Sequence, residues 1–68
     1  MMISNHEFTV LEMYVHAVAA KSVAQVFKSA QAEKNAKDIE DACRGYLTGK
    51  VTFMDTMKIL DDLNKEQN

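Results

Sequence analysis

The stretch LTGKVTFMD, residues 47–55, contains both the predicted end of one helix and the predicted start of another. Gly49 follows an apolar run that ends at Leu47, and a glycine can adopt the left-handed conformation that closes a helix without a Cβ clash. Thr52 can accept a hydrogen bond from a free backbone N–H of the next helix, with Asp55 three residues on, as in a capping box. The stretch therefore predicts a short loop that joins two helices into an antiparallel αα-hairpin.

Two further helix starts lie upstream of this loop. Thr9 is followed three residues later by Glu12, and Asn35 is followed by Asp38, so each pair has the spacing of an N-cap with an acid. The 68 residues contain no proline and two glycines, which leaves few positions that could interrupt a helix. The pattern predicts an all-α fold in a single domain, residues 1–68, with one long N-terminal helix plus the short antiparallel hairpin. The predicted helices span about residues 10–34, 36–48 and 53–65.

The predicted first helix changes its apolar face part-way along. At about 100° per residue, the apolar residues of its first half project from one side, whereas Val23, Val26 and Phe27 project from nearly the opposite side. Either a break at Lys21-Ser22 or one continuous helix with two sets of partners would explain the change. Continuity is favoured because neither glycine nor proline intervenes. We expect the second set to pack on the hairpin. The first set then forms the partner-binding surface: Val10, Leu11, Tyr14 and Val18.

Length and charge restrict the class of partner. A domain of this size buries only about 60% of its unfolded surface, so it is marginal without a staple or a partner. Eight basic and ten acidic residues give a net charge of −2, which lacks the basic footprint of a nucleic-acid binder. No apolar run approaches the ~20 residues of a membrane span, and no signal-peptide pattern precedes the first helix. We therefore expect a cytoplasmic protein whose partner is another protein or a second copy of itself, not a nucleic acid or a membrane.

The chain offers few groups for catalysis or metal binding. Cys43 falls on the apolar face of the second helix, where a buried inert thiol is expected rather than a nucleophile. Glu12 and His16 lie one turn apart and could share a metal ion, but such a pair is also common on a solvated helix face. No glycine-rich phosphate loop or Ser/His/Asp arrangement occurs. The sequence therefore predicts a non-enzymatic protein with no cofactor and no bound metal.

Two segments resemble the VbhA-like antitoxins, a family of small three-helix proteins that inhibit Fic-domain adenylyltransferase toxins. YLTGKVT (residues 46–52), followed by Asp55 and an apolar helix, resembles the carboxy-terminal hairpin of that family. SAQAE (residues 29–33) resembles its inhibitory motif, which is a Ser or Thr followed four residues later by Glu and then by Gly or Asn. The order of a long first helix and a short helical pair is also similar to the family pattern.

The resemblance implies roles for two residues. Glu33 would enter the Fic active site, pair with an arginine of the nucleotide pocket and obstruct productive ATP binding, while Ser29 would help to anchor the motif. Lys34 follows Glu33 where the family has Gly or Asn. Ser29 and Glu33 could also be merely the polar end of the first helix. The alternatives to an antitoxin are a self-associating structural or adaptor protein, and a mobile-element-encoded inhibitor of another host enzyme.

Overall fold

The structure is a computed structural model that describes residues 4–67, and this part of the chain consists of three helices and their connections. Helix α1 spans Asn5–Val26, α2 spans Ala30–Leu47 and α3 spans Phe53–Gln67. The predicted all-α fold class is confirmed. The predicted boundaries are wrong at both ends of the first helix and at the start of the second.

Helix α1 begins five residues before the predicted start. Ser4 is its N-cap, and the Ser4 hydroxyl accepts a hydrogen bond from the backbone N of Glu7 at 3.1 Å. Thr9 lies inside the helix, where its hydroxyl donates to the carbonyl oxygen of Asn5 at 2.9 Å. Ser4 and Glu7 also have the N-cap spacing, and they satisfy the free N–H groups one turn earlier than Thr9 could.

Helix α1 is continuous through Lys21-Ser22, as predicted, but it ends at Val26 rather than near residue 34. Lys28 has a φ of 55°. Its N–H donates to the carbonyl oxygen of Gln25 at 3.2 Å, and the N–H of Ser29 donates to Ala24 at 2.9 Å. These two bonds form a Schellman motif, in which a residue in the left-handed conformation closes a helix. A lysine occupies the position where glycine is usual.

Helix α2 starts immediately after this turn. Ser29 is its N-cap, so the predicted N-cap Asn35 lies inside the helix, where its side chain accepts a hydrogen bond from Gln31 Nε2 at 2.9 Å. The early turn allows α2 to fold back along α1.

The connection between α2 and α3 is the one that the sequence predicts. Gly49 has a φ of 78°. Its N–H donates to Tyr46 at 3.0 Å and the N–H of Lys50 donates to Gly45 at 2.9 Å, which is again a Schellman motif. The Thr52 hydroxyl then accepts from the backbone N of the predicted capping-box acid, Asp55, at 3.1 Å.

The core is formed mainly between α1 and α2, which contact each other more extensively than α2 contacts α3. Side-chain hydrogen bonds join Tyr14 to Arg44 and Lys21 to Glu40, so the two helices run antiparallel. Most buried apolar residues are small, which allows close approach of the helices. The buried residues are Val10, Ala17, Ala24, Ala36, Glu40, Ala42, Cys43 and Thr56.

Helix α3 closes one end of this pair through aromatic contacts. The rings of His6 and Phe53 stack with centroids 3.9 Å apart and an interplanar angle of 6°. Tyr46 meets the same phenylalanine edge-on at 5.8 Å. These contacts connect α3 to both of the other helices near the start of α1 and the end of α2.

Candidate protein-binding site

Ser29 and Glu33 lie together at the turn between α1 and α2. The Ser29 hydroxyl accepts a hydrogen bond from the backbone N of Ala32 at 3.3 Å, as an N-cap does. Glu33 lies in the first turn of α2, and its backbone N donates to the carbonyl oxygen of Ser29 at 3.0 Å. A carboxylate at this position interacts favourably with the helix dipole. The two residues are therefore the polar start of α2 rather than the end of the first helix.

The carboxylate of Glu33 accepts one side-chain hydrogen bond in the described part of the chain. Gln25 Nε2 donates to Oε1 at 3.4 Å, which is long for a hydrogen bond. The Glu33 side chain is half-exposed, and it forms no salt bridge within residues 4–67. Such a carboxylate can accept charge-assisted hydrogen bonds from a cation on another molecule.

Large apolar side chains at the end of α1 face solvent. Val26 is 76% exposed and Phe27 is 78% exposed. The prediction that Val23, Val26 and Phe27 pack on the hairpin is wrong, because α2 folds against the opposite side of α1, where Ala24 is buried. We refer to residues 26–33 as the α1–α2 tip. It combines exposed apolar surface with an available negative charge.

Glu40 lies two turns further along α2 and has the opposite environment. It is 5% exposed. Lys21 Nζ donates to its Oε2 at 2.6 Å, and Arg44 Nη2 donates to its Oε1 at 3.0 Å. The hydrogen bond from Lys21 lowers the pKa of Glu40 below its usual value, although burial acts in the opposite direction. Glu40 therefore holds α1 against α2 and is not available to a ligand.

Glu40 is not among the residues that the sequence pattern singles out, and the signal for its role is weak. The contact between Lys21 and Glu40 joins residues that are 19 positions apart, so no helical spacing reveals it. The spacing of Glu40 and Arg44 does match an i,i+4 ion pair. That spacing is also common on exposed helix faces, and it does not indicate burial.

The four residues predicted to bind a partner lie on the side of α1 that faces the rest of the chain. Val10 is 0% exposed, so the prediction that it belongs to an exposed surface is wrong. Leu11, Tyr14 and Val18 are half-buried. The hydroxyl of Tyr14 accepts a hydrogen bond from Arg44 Nη2 at 3.3 Å, which uses its polar atom inside the chain. The apolar stripe of the first half of α1 is therefore covered largely by α2.

An open, largely apolar groove of about 600 Å³ lies between the three helices. Its lining includes Met13 from α1, Ile39 from α2 and Leu60 from α3, each of them half-buried. Glu12 and His16 also line it. Among the side chains that the structure describes, residues 4–65, no group of three or more His, Cys, Asp or Glu is placed to hold a metal ion.

The thiol of Cys43 lies inside the core. Its residue is 0% exposed, and burial raises the pKa of the thiol. A thiol becomes a strong nucleophile as the thiolate, so both its burial and its raised pKa disfavour reaction at this position. Cys43 therefore serves as a small packing residue of the core.

No protein-family model, curated protein or solved structure matches this chain. Among the described residues, no helix has both the length and the apolar content needed to cross a membrane. The α1–α2 tip lies at one end of the antiparallel helix pair and carries exposed apolar side chains. It also carries the Glu33 carboxylate, which has no cation partner among the described residues.

Proposed function

We propose that this chain is a non-enzymatic regulator that binds another protein through the α1–α2 tip. One observation carries the proposal: the Glu33 carboxylate lacks a cation partner within residues 4–67, and the turn that leads into its helix carries Val26 and Phe27, which are 76% and 78% exposed. Exposed apolar groups next to a charge are the composition of a small protein-binding surface. The apolar side chains would supply contact area, and the carboxylate would supply specificity.

The specific partner that we propose is a Fic-domain adenylyltransferase in the cytoplasm. The resemblance of SAQAE (residues 29–33) to the inhibitory motif of VbhA-like antitoxins assigns Glu33 to an arginine of the nucleotide pocket. Entry of this carboxylate would obstruct productive binding of ATP, whose phosphates carry the same sign of charge. Ser29, as the N-cap of α2, would hold the first turn that carries Glu33.

The position of the motif in the helices differs from the family pattern. In the family pattern the motif ends the first helix, whereas here it starts α2. A partner would therefore meet the N-terminus of α2, whose free N–H groups are capped by Ser29, and not a continuous helix. The difference concerns how Glu33 is presented, and it leaves the carboxylate at an exposed end of the helix pair.

The decisive experiment uses a Fic-domain adenylyltransferase encoded beside this chain, with adenylylation of its target as the readout. We expect the wild-type chain to suppress the reaction and Glu33→Gly to restore it. Gln31→Gly is the matched control, because Gln31 is exposed in the same turn of α2 and its replacement costs similar helix propensity without removing a carboxylate. Equal suppression by the wild type and by Glu33→Gly would contradict the proposed role.

A second candidate function is that of a self-associating structural or adaptor protein. The observation that favours it is that α1 exposes large apolar residues along its side away from α2. A third is inhibition of another host enzyme by a protein of a mobile element. The gene next to this one separates these candidates: a Fic-domain toxin there favours the first, and a different enzyme favours the third.

A further inference from the structure

The groove between the three helices has a wall or floor from each of them. Helices α1 and α3 both pack mainly on α2 and contact each other little. They meet at the stacked rings of His6 and Phe53, and beyond that contact the groove separates them. Ala17 and Ala36 are buried in the lining, and their small side chains leave the groove its depth. The groove therefore follows from the arrangement of the helices.

The dimensions of the groove suit a compact ligand. Its volume is about 600 Å³. Sites for small molecules typically enclose roughly 300–1,000 Å³. The α3 wall extends only from Leu60 to Asn64, which is about 6 Å at about 1.5 Å per residue. A helix bound in a groove uses anchors from i to i+7, which span about 10 Å. The short wall therefore favours a small molecule over a partner helix.

The lining is mostly apolar, with polar side chains at its rim. These are Glu12 and His16 on α1 and Asn64 on α3, and all three residues are exposed. In small-molecule sites an apolar lining supplies contact area, while a few polar groups fix the orientation and the specificity of the ligand. The imidazole and the amide can donate or accept hydrogen bonds, whereas the carboxylate only accepts.

The charge at the rim comes from Glu12. Among the described residues that line the groove, it is the only Asp, Glu, Lys or Arg. Its carboxylate forms no salt bridge with another side chain that the structure describes. Lys21 and Lys65 directly follow lining residues, but they form salt bridges with Glu40 and Asp61. The groove therefore presents one uncompensated negative charge beside an apolar lining.

We propose that this groove binds a small apolar molecule that carries one cationic amine. The apolar part lies against Met13, Ile39 and Leu60, and the ammonium group donates to the carboxylate of Glu12. A ligand that contacts all three helices binds only the folded chain, so it raises the melting temperature as its concentration rises. The groove shares no residue with the α1–α2 tip. The proposal is therefore independent of the partner at the tip.

Octyl chains with three head groups test the charge of the ligand. Octylammonium, octanol and octanoate are titrated separately into the full chain at about pH 8, above the ordinary titration range of histidine. Amide chemical shifts report the site and the affinity. We expect octylammonium to shift the signals of lining residues and to bind at least about fivefold more tightly than octanoate.

Two carboxamide variants identify the charged group. Glu12→Gln should remove the preference for octylammonium over octanol. Glu7→Gln is the matched control, because it changes the net charge equally and Glu7 is exposed on α1 outside the lining. It should keep the preference. A preference that survives in Glu12→Gln, or that is lost equally in Glu7→Gln, would contradict the assignment to Glu12.

Two phenylalanine variants test the position of the ligand. Ala19 and Ala20 are both exposed on α1, but only Ala20 lines the groove. Ala20→Phe should therefore block binding of octylammonium, whereas Ala19→Phe should leave it unchanged. Equal effects of the two variants would overturn the proposal. So would the absence of saturable binding at about 10 mM, which would leave a partner helix as the occupant. Groove signals that shift with protein concentration alone would assign the groove to a second copy and also overturn it.

Discussion

Two glutamates on one side of α2, seven residues apart, behave differently because α1 places different groups opposite them. Glu40 meets Lys21 at 2.6 Å and is 5% exposed, whereas Glu33 meets the neutral amide of Gln25 at 3.4 Å and is half-exposed. Lys21 and Gln25 are one turn apart on α1. The carboxylate at the centre of the helix pair is therefore paired with cations, whereas the carboxylate at the tip is not. We call these two regions the closed centre and the open tip.

The comparison distinguishes a structural carboxylate from an available one. A buried charge is retained when cations and hydrogen bonds replace the water that it has lost, as Lys21 and Arg44 do for Glu40. Glu33 has kept part of its contact with solvent and has no such partner in the described residues. Only the second arrangement leaves a carboxylate free to recognise a cation on another protein.

The largest expected effect comes from removing the charge at the closed centre. Glu40→Gln keeps the size of the side chain but leaves the ammonium of Lys21 without its carboxylate, so we expect the largest drop in melting temperature among the changes proposed for this chain. Glu33→Gln is the matched variant, and its free energy of unfolding should stay within about 0.5 kcal/mol of the wild type. Thermal and urea unfolding followed by circular dichroism measure both.

A comparable drop for Glu33→Gln would show that the tip is as closed as the centre. It would also remove the reason for treating Glu33 as available. The Glu40→Leu variant gives a further check. An apolar residue of similar volume can replace a buried carboxylate at little cost only where the partner cation can reach water. Lys21 is partly exposed, so this variant should recover part of the stability lost by Glu40→Gln.

Acid should weaken the interaction between Glu40 and Lys21 at the closed centre. The pKa of Glu40 lies below its ordinary value of 4.5 in the folded protein, because Lys21 hydrogen-bonds its charged form. Below that ordinary value the unfolded chain takes up the proton more readily than the folded chain, so stability falls as the pH falls. The contribution is complete above about pH 4.5 and is lost as the pH falls through the lowered pKa. Melting temperatures measured from pH 7 down to pH 3 check this.

Glu40→Gln is the control for the acid effect, because it removes the titrating group. Its melting temperature should decline less steeply than that of the wild type below about pH 4.5. Parallel curves for the wild type and Glu40→Gln would assign the acid sensitivity to other carboxylates.

The fold class and the second connection could be predicted from sequence because their signals are local. Gly49 closes α2 in the left-handed conformation, and Thr52 caps α3, as the residue types indicate. The first connection could not be predicted in this way, since the residue that closes α1 is Lys28, and a lysine carries no helix-stop signal. Tertiary packing of α2 on α1 outweighs the local preference for a longer helix.

The same packing decided which predictions of the site were wrong. The sequence separates two apolar sets on the first helix, but periodicity alone does not say which set faces the rest of the chain. The early turn at Lys28 leaves Val10 buried and Val26 exposed, which is the reverse of the burial predicted for the two sets. Ser29 and Glu33 were singled out by resemblance and lie next to each other in the structure. Their binding role stays a prediction.

The smallest expected effect concerns the turn that forms the open tip. Lys28 and Gly49 occupy the same position in two Schellman motifs, with φ values of 55° and 78°. A left-handed conformation costs a residue with a Cβ about 1 kcal/mol or more, and glycine avoids that cost. Lys28→Gly should therefore raise the free energy of unfolding by up to about 1 kcal/mol, part of the gain being offset by the greater entropy of glycine in the unfolded chain.

Gly49→Ala is the reciprocal substitution, because it removes glycine from a left-handed position, and it should lower the free energy of unfolding by about 1 kcal/mol. No heavy atom lies within 4 Å of a Cβ built on Gly49, so the loss would report backbone strain without a steric clash. Urea unfolding at matched protein concentration measures both variants. Because Lys28 lies between the exposed Phe27 and the cap Ser29, a stabilising Lys28→Gly would also show that the tip stores strain in the free protein. If Lys28→Gly destabilised the chain as much as Gly49→Ala, the first helix would end by a different geometry, and the open tip would lose its structural basis.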